Sequence, residues 1–290
     1  WEERASDGFV RQVSPQGIRL LGRSPRGLLC GVYDLLEDLG CRWYWPGDLG
    51  ERIPKQTSVS LPVGIKDEEP SLRGRGLILG HDRYLEDAEA WIDWASKNRL
   101  NYIFFYFFPP HRLGGRPERI WRKRMKGAAE AIRRRGMAIH YGGPLWSYLL
   151  PRRMIWRWPQ AFRFDGKRRT ANHNLCPSSP IALQIVRQRA RKFFRTHKEV
   201  DVFHIWPDDL PADGSRMPWC LCPACEHLSA SDQVLTVTNE IADVLAEEIP
   251  RAICSFPAHH DTRKAPVSVK PRPNVVLLYD SRERCYAHVI

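Results

Sequence analysis

No apolar run in the sequence approaches the ~18 residues that a bilayer-spanning helix needs. The densest, Tyr102 to Phe108, is far too short, so no membrane-spanning segment is expected. Glycine-rich phosphate loops are missing too. After Leu79 comes Gly80-His81-Asp82-Arg83, neither G-x-G-x-x-G nor a P-loop, so nucleotide chemistry and an organic cofactor are not expected. H-E-x-x-H is absent, which removes the commonest signature of a catalytic zinc. Cysteine is sparse: eight in 290 residues are too few for a disulfide framework.

What is present describes a globular chain. Hydrophobic residues make up 43%, charged 27% and aromatic 11%, enough to bury a large core and to exclude wholesale disorder. Lys+Arg number 45 against 33 Asp+Glu, a net charge of +12 that favours acidic partners. The basic residues are scattered over helical segments such as Arg187 to Lys192, which reads as a solvated basic face; nucleic acid is not the expected partner. The chain starts at Trp1 and stops in the apolar stretch Tyr286 to Ile290, so it is read as part of something longer.

Two strands, Phe9 to Val13 and Ile18 to Leu21, flank the turn Ser14-Pro15-Gln16-Gly17. Ser24 then caps a helix with Pro25 at its first position, and Gly40 ends it. Strands are expected at Cys41 to Pro46 and Val59 to Pro62, then a linker over Val63 to Ser71. From Arg73 strands and helices alternate. Strands are expected at Gly76 to Leu79, Asn101 to Phe108, Met137 to Tyr141, Val200 to Trp206, Ala252 to Phe256 and Asn274 to Tyr279. Helices are expected at Glu86 to Lys97, Glu118 to Arg135, Pro180 to Thr196 and from Ser231 as cap to Pro250. The expected fold class is α/β: a small N-terminal α+β domain over 1–66, followed over 73–290 by a (β/α)8-type TIM barrel, incomplete at its C-terminus because six strands are counted where a barrel has about eight. An open doubly wound sheet is the alternative, and the missing glycine-rich loop counts against it.

In a barrel the chemistry sits just after each strand. There the chain places His81 and Asp82, then His140, Tyr141 and Trp146, then Trp206, Asp208 and Asp209, and finally Asp280. Indole faces stack on sugar rings while carboxylates hold hydroxyls, so His81, Asp82, His140, Tyr141, Trp146 and Trp206 are candidate sugar-binding residues. His173, between Asn172 and Asn174, is a further candidate contact. Asp208 and Asp209 are the candidate catalytic pair: adjacent carboxylates in a dry cleft cannot both ionise freely, which can split them into an acid and its partner. Cys220, Cys222 and Cys225 form C-x-C-x2-C, three ligands for a structural zinc that needs a fourth from His227, Cys176, His204 or Cys254; a local disulfide is the alternative.

The run from Gly17 to Gly40, with CRWYWPG at 41–47 and Ile53-Pro54, resembles the α/β domain that precedes the barrel in α-glucuronidases and β-N-acetylhexosaminidases. The barrel portion is similar to a bacterial family of glycosidase-like proteins, a domain of unknown function, through NHNLCP at 172–177, WPDD at 206–209 and C-x-C-x2-C at 220–225. The resemblance implies a carbohydrate-active barrel in secreted or envelope proteins, and a glycoside hydrolase acting on an N-acetylhexosamine- or uronate-containing glycan. In that family's pattern Asn often precedes the Asp, so Asp208 departs from it and Asp209 is the favoured acid. The alternatives are a non-catalytic glycan-binding protein of the same architecture and a zinc-clipped nucleic-acid-binding module.

Overall fold

A computed structural model describes residues 6–80, 87–106, 117–172, 174–208, 219–281, 285 and 287–288, with backbone only at 117–124 and 126. The chain divides into two compact units, Trp1–Tyr106 with Glu118–Ile139, and Phe107–Pro117 with His140–Ile290.

The first unit opens with β1 (Phe9–Ser14) and β2 (Gly17–Gly22), an antiparallel hairpin, followed by α1 (Pro25–Asp38). Ser24 caps α1, its side chain accepting from the Gly27 N–H, and Pro25 takes the first turn, where its missing N–H costs nothing. Short strands β3 (Arg42–Trp43) and β4 (Glu51–Arg52) pair with each other, and β5 (Gly64–Glu68) pairs antiparallel with β1. Then come β6 (Gly76–Leu79), α2 (Ala88–Lys97), β7 (Tyr102–Tyr106) and α3 (Pro117–Arg134). Buried charges here are paired: the Asp7 carboxylate accepts from Arg75 at 2.6 Å and Arg26 at 3.3 Å, and Arg26 also donates to the Arg135 carbonyl at 2.8 Å. Such pairs are costly to break because either partner alone would be a buried charge.

The second unit holds most of β8 (Ala138–Pro144), then α4 (Trp146–Leu149), α5 (Pro180–Arg195), β9 (Val202–Trp206), α6 (Ala230–Glu248), β10 (Ile253–Ala258) and β11 (Val275–Tyr279). Among the described residues one sheet has six strands in the order β11-β10-β9-β8-β7-β6, with parallel pairing of β6 with β7, β8 with β9, and β10 with both β9 and β11. Strands in sequential order with helices between them make this a mixed α/β protein with a parallel sheet, consistent with a TIM-like barrel fold. β8 and β9 are buried on both faces, the condition that makes such strands uniformly apolar or tightly paired. Gly142 is required where it stands: its φ is +139°, and a Cβ there would meet the His204 carbonyl oxygen at 1.9 Å.

The basic face of α5 is answered by α6. Arg187 reaches Glu240 at 2.9 Å, Arg191 reaches Glu248 at 3.1 Å, and Arg195 reaches the same Glu248 at 2.9 Å. This stretch of positive charge is therefore largely matched by carboxylates.

Three expectations are corrected. Val59 to Pro62 is no strand; the strand lies at Gly64–Glu68, in the segment read as linker. Its pairing to β1 is made by backbone hydrogen bonds, which a polar edge segment makes as well as an apolar one. The strand expected at Cys41 to Pro46 shrinks to Arg42–Trp43. The cap of α6 is Ser229, two residues before Ser231, in a capping box with Asp232.

Candidate functional site

Alternation along a strand sends successive side chains to opposite faces. In β8 and β9 it separates Tyr141 and Phe203 from His140, His204 and Trp206. Tyr141 stacks on His197 and Phe193, ring centroids 5.0 and 5.8 Å apart, so it is part of the core against α5. The other face carries a polar chain across three strands. Trp206 Nε1 donates to Ser255 Oγ at 3.0 Å, Ser255 Oγ meets His204 Nδ1 at 2.8 Å, and His204 Nε2 meets His140 Nδ1 at 3.1 Å. Burial and the neighbouring His140 hold His204 well below the usual imidazole range, so it is neutral at physiological pH. A neutral imidazole both donates and accepts, so His204 can share a hydrogen bond with each of its two neighbours.

Just past β9, Asp208 is buried and fully engaged. One carboxylate oxygen accepts from the Ser147 N–H at 3.3 Å, the other pairs with Arg152 at 3.0 Å, and its own N–H donates to Asn174 Oδ1 at 2.9 Å. Three separate segments thus converge on it. Trp146, the first residue of α4, is 2% exposed and its indole Nε1 has no hydrogen-bond partner among the described residues. A buried N–H of this kind calls for a water or ligand oxygen.

Sequence reasoning missed the segment after β10. His259 Nδ1 lies 2.6 Å from Asp280, the residue after β11, and Asp261 accepts from Trp219 Nε1 at 3.0 Å. His260 between them takes φ +49°, a left-handed conformation uncommon outside glycine. The available signal was plain position: His259, His260 and Asp261 directly follow an apolar strand.

Cys176 joins Cys220, Cys222 and Cys225 in one buried cluster, all four sulfurs within 4.8 Å of one another. It can hold a metal ion. Cys176 Sγ lies 3.8 Å from Cys222 Sγ and 3.7 Å from Cys225 Sγ, far beyond the ~2.05 Å of a disulfide. All four are free thiols, so the local disulfide is not formed. Hydrogen bonds from Cys176 and Cys225 hold the Cys220 thiol far below its ordinary range, while the same contacts push Cys225 up and Cys176 up to about 11. The other candidate fourth ligands lie elsewhere: His227 is exposed, His204 is in the imidazole chain, and burial pushes the Cys254 thiol up to about 12.

Of the candidate site residues, the structure sets Trp146, Trp206 and Asp208 at or just past the ends of β8 and β9. His140 and Tyr141, expected just after a strand, lie within β8, which runs on to Pro144, His140 paired with Val202 and Tyr141 on the helix-facing side. His81, Asp82, His173 and Asp209 lie outside the described residues.

Residues 45–288 match the model of a family described as a domain of unknown function, DUF4838. The chain belongs to that family. No curated protein matches it. Among solved structures it is similar to the β-N-acetylhexosaminidase of Bacteroides fragilis, with 16% identity and a TM-score of 0.58 over 94% of this chain and 56% of that one. A second β-N-acetylhexosaminidase gives 16% identity and 0.53, over 88% and 59%. CpGH89 from Clostridium perfringens, solved with its substrate GlcNAc-α-1,4-galactose, gives 10% and 0.59, over 93% and 35%. The family member therefore spans a little over half the length of the two hexosaminidases, and these identities establish a shared fold.

Proposed function

We propose that this protein is a glycoside hydrolase that acts on an N-acetylhexosamine- or uronate-containing glycan at the C-terminal ends of β8 to β10. The observation that carries the reading is the cluster there: the Trp206 ring on its hydrogen-bonded chain, the unpartnered Trp146 N–H among the described residues, and the buried Asp208, which precedes Asp209 in the sequence. The shared fold of named hexosaminidases supports it. In this reading Trp206 stacks on a sugar face and Trp146 donates to a sugar oxygen. Asp208, with both oxygens engaged, orients the loop and leaves Asp209 to act as general acid. Asp209 passes its proton to the glycosidic oxygen as the C1–O bond breaks. Either water takes C1 from the other side and releases its extra proton to solvent, or the substrate's own acetamido oxygen takes C1 and a water then opens that ring, its proton returning to Asp209. The cysteine cluster serves structure in this scheme, because four buried sulfurs leave a metal no open position for substrate.

The engagement of Asp208 favours a second reading, a glycan-binding protein without turnover. Hydrolysis of aryl glycosides of N-acetylglucosamine, N-acetylgalactosamine and glucuronic acid, by the wild type and by Asp209→Asn, separates the two. Turnover of one aryl glycoside, lost about a thousandfold or more in the folded variant, is the expected result. Binding with no turnover of any glycoside, unchanged in Asp209→Asn, would put the second reading in its place.

A further inference from the structure

We infer that Cys176, Cys220, Cys222 and Cys225 hold a single zinc ion as a closed four-thiolate site, and that this ion fixes the backbone that presents Asn174 to Asp208. Four mutually facing buried thiols have little to offer one another, since S–H is a weak donor and sulfur a weak acceptor. An ion changes that. Metal–sulfur bonds of ~2.3 Å in a tetrahedron set sulfurs ~3.8 Å apart, and the Cys176 sulfur already lies 3.8 and 3.7 Å from those of Cys222 and Cys225.

The surroundings are built for thiolates. The Phe164 N–H points at Cys220 Sγ from 3.3 Å and the Arg169 guanidinium from 3.6 Å, a donor and a positive charge that suit an anionic sulfur bound to metal. Between Cys222 and Cys225 the chain makes a tight turn, with Cys225 N donating to Cys222 O at 2.7 Å and Glu226 N to the same oxygen at 2.9 Å. Gln233 of α6 brackets the knuckle: its Oε1 accepts from Cys220 N at 2.9 Å, and its Nε2 donates to Cys220 O at 3.1 Å and Cys225 O at 3.3 Å. Sulfur-only ligation selects soft or borderline ions and disfavours magnesium and calcium; a closed tetrahedron is the structural zinc geometry.

The ion's place explains its use. Cys176 stands two residues after Asn174, whose side chain holds the Asp208 N–H, and Cys220 closes the stretch that starts at Asp208. Cys176 and Cys222 are 46 positions apart in sequence, so nothing local joins them. One ion ties both segments together close to the residues that hold Asp208. Only this second half touches the glycan reading, and neither half depends on turnover.

The test begins with the full chain purified without a metal-affinity tag or chelator. Elemental analysis should find zinc at one equivalent per chain, retained through dialysis and released by a thiol-modifying mercurial. Cobalt exchanged into the site should show the strong visible bands of a tetrahedral thiolate complex. Cys176→Ser should lower zinc content at least about tenfold at equal protein, and Cys254→Ser, which alters a buried cysteine outside the cluster, should leave it unchanged. Substoichiometric zinc in wild type grown with added zinc, or iron in its place, would overturn the assignment without any variant having to fold. For the second half, zinc is removed from the wild type and amide exchange is followed. The Asp208 amide should exchange at least about tenfold faster while those of Phe203 to Ile205 stay protected. Equal protection of Asp208 with and without zinc would refute the positioning role and leave the glycan reading untouched.

Discussion

Two clusters of titratable side chains lie buried in the second unit, and they are satisfied differently. His140 and His204 sit 3.1 Å apart and pass hydrogen bonds on to Ser255 and Trp206. The four cysteine sulfurs lie within 4.8 Å of one another. Among the described residues the Phe164 N–H and the Arg169 guanidinium reach Cys220, Arg169 also hydrogen-bonds Cys176 and Cys222, and Cys225 makes one further contact of 3.1 Å to Ser178. Imidazole and hydroxyl can each donate and accept, so each member of the chain passes a hydrogen bond to the next. Thiols gathered in this way have little to offer one another, and the same degree of burial makes one cluster a hydrogen-bonded chain and the other a set of sulfurs able to hold a metal ion.

The sharpest way to break the comparison is to remove one member from each cluster. Cys220→Ser takes away a ligand and a bracketed turn, and is expected to lower the melting temperature by ~10 °C or more, read by calorimetry, because structural metal binding contributes directly to folding free energy. A loss no larger than that of Cys254→Ser would mean the sulfurs are ordinary core. His204→Phe strands the Ser255 and His140 groups that face it and should cost ~1–3 kcal/mol in chemical denaturation, with metal content unchanged.

Acid separates the clusters further. His204 titrates well below its ordinary value of 6.5 when folded, so as pH falls past 6.5 the unfolded chain takes up the proton first. The stability that neutral His204 provides is therefore full above pH 6.5 and declines below it, down towards the folded value. Melting temperatures measured between pH 7.5 and 5 should fall with acid in the wild type and fall less steeply in His204→Phe; parallel curves would contradict this. The smallest effect is local: Ser229→Ala removes the cap of α6, the helix that carries Gln233, and should cost ~1 kcal/mol without releasing metal.

Parts of this architecture were legible in the sequence because their causes are local. β7 reads as a buried strand from its continuous apolar run, and α1 announces its start with Ser24-Pro25. β5 was not legible, since an edge strand needs only backbone pairing and carries Lys66 and Asp67 as comfortably as valines. The site was half legible. Position after a strand marked Trp146, Trp206 and Asp208, and spacing marked three cysteines. The partners that define what each does are distant in sequence: Arg152 is 56 positions from Asp208, and His140 is 64 from His204. Spacing left four candidates, two cysteines and two histidines, for the fourth ligand position, and only the fold brings Cys176 to it. Tyr141 and His140 are neighbours in sequence but opposites in space, a distinction that follows from strand alternation once the strand's facing is known.

The most direct test of the glycan reading is a calorimetric titration of the full chain with N-acetylglucosamine and, separately, glucuronic acid, repeated with Trp206→Ala. Saturable binding of one of them to the wild type, weakened about tenfold or more by loss of the indole platform, is the predicted result. Equal affinity in Trp206→Ala, with the variant folded, would place the sugar away from the ends of β8 to β10 and contradict the account.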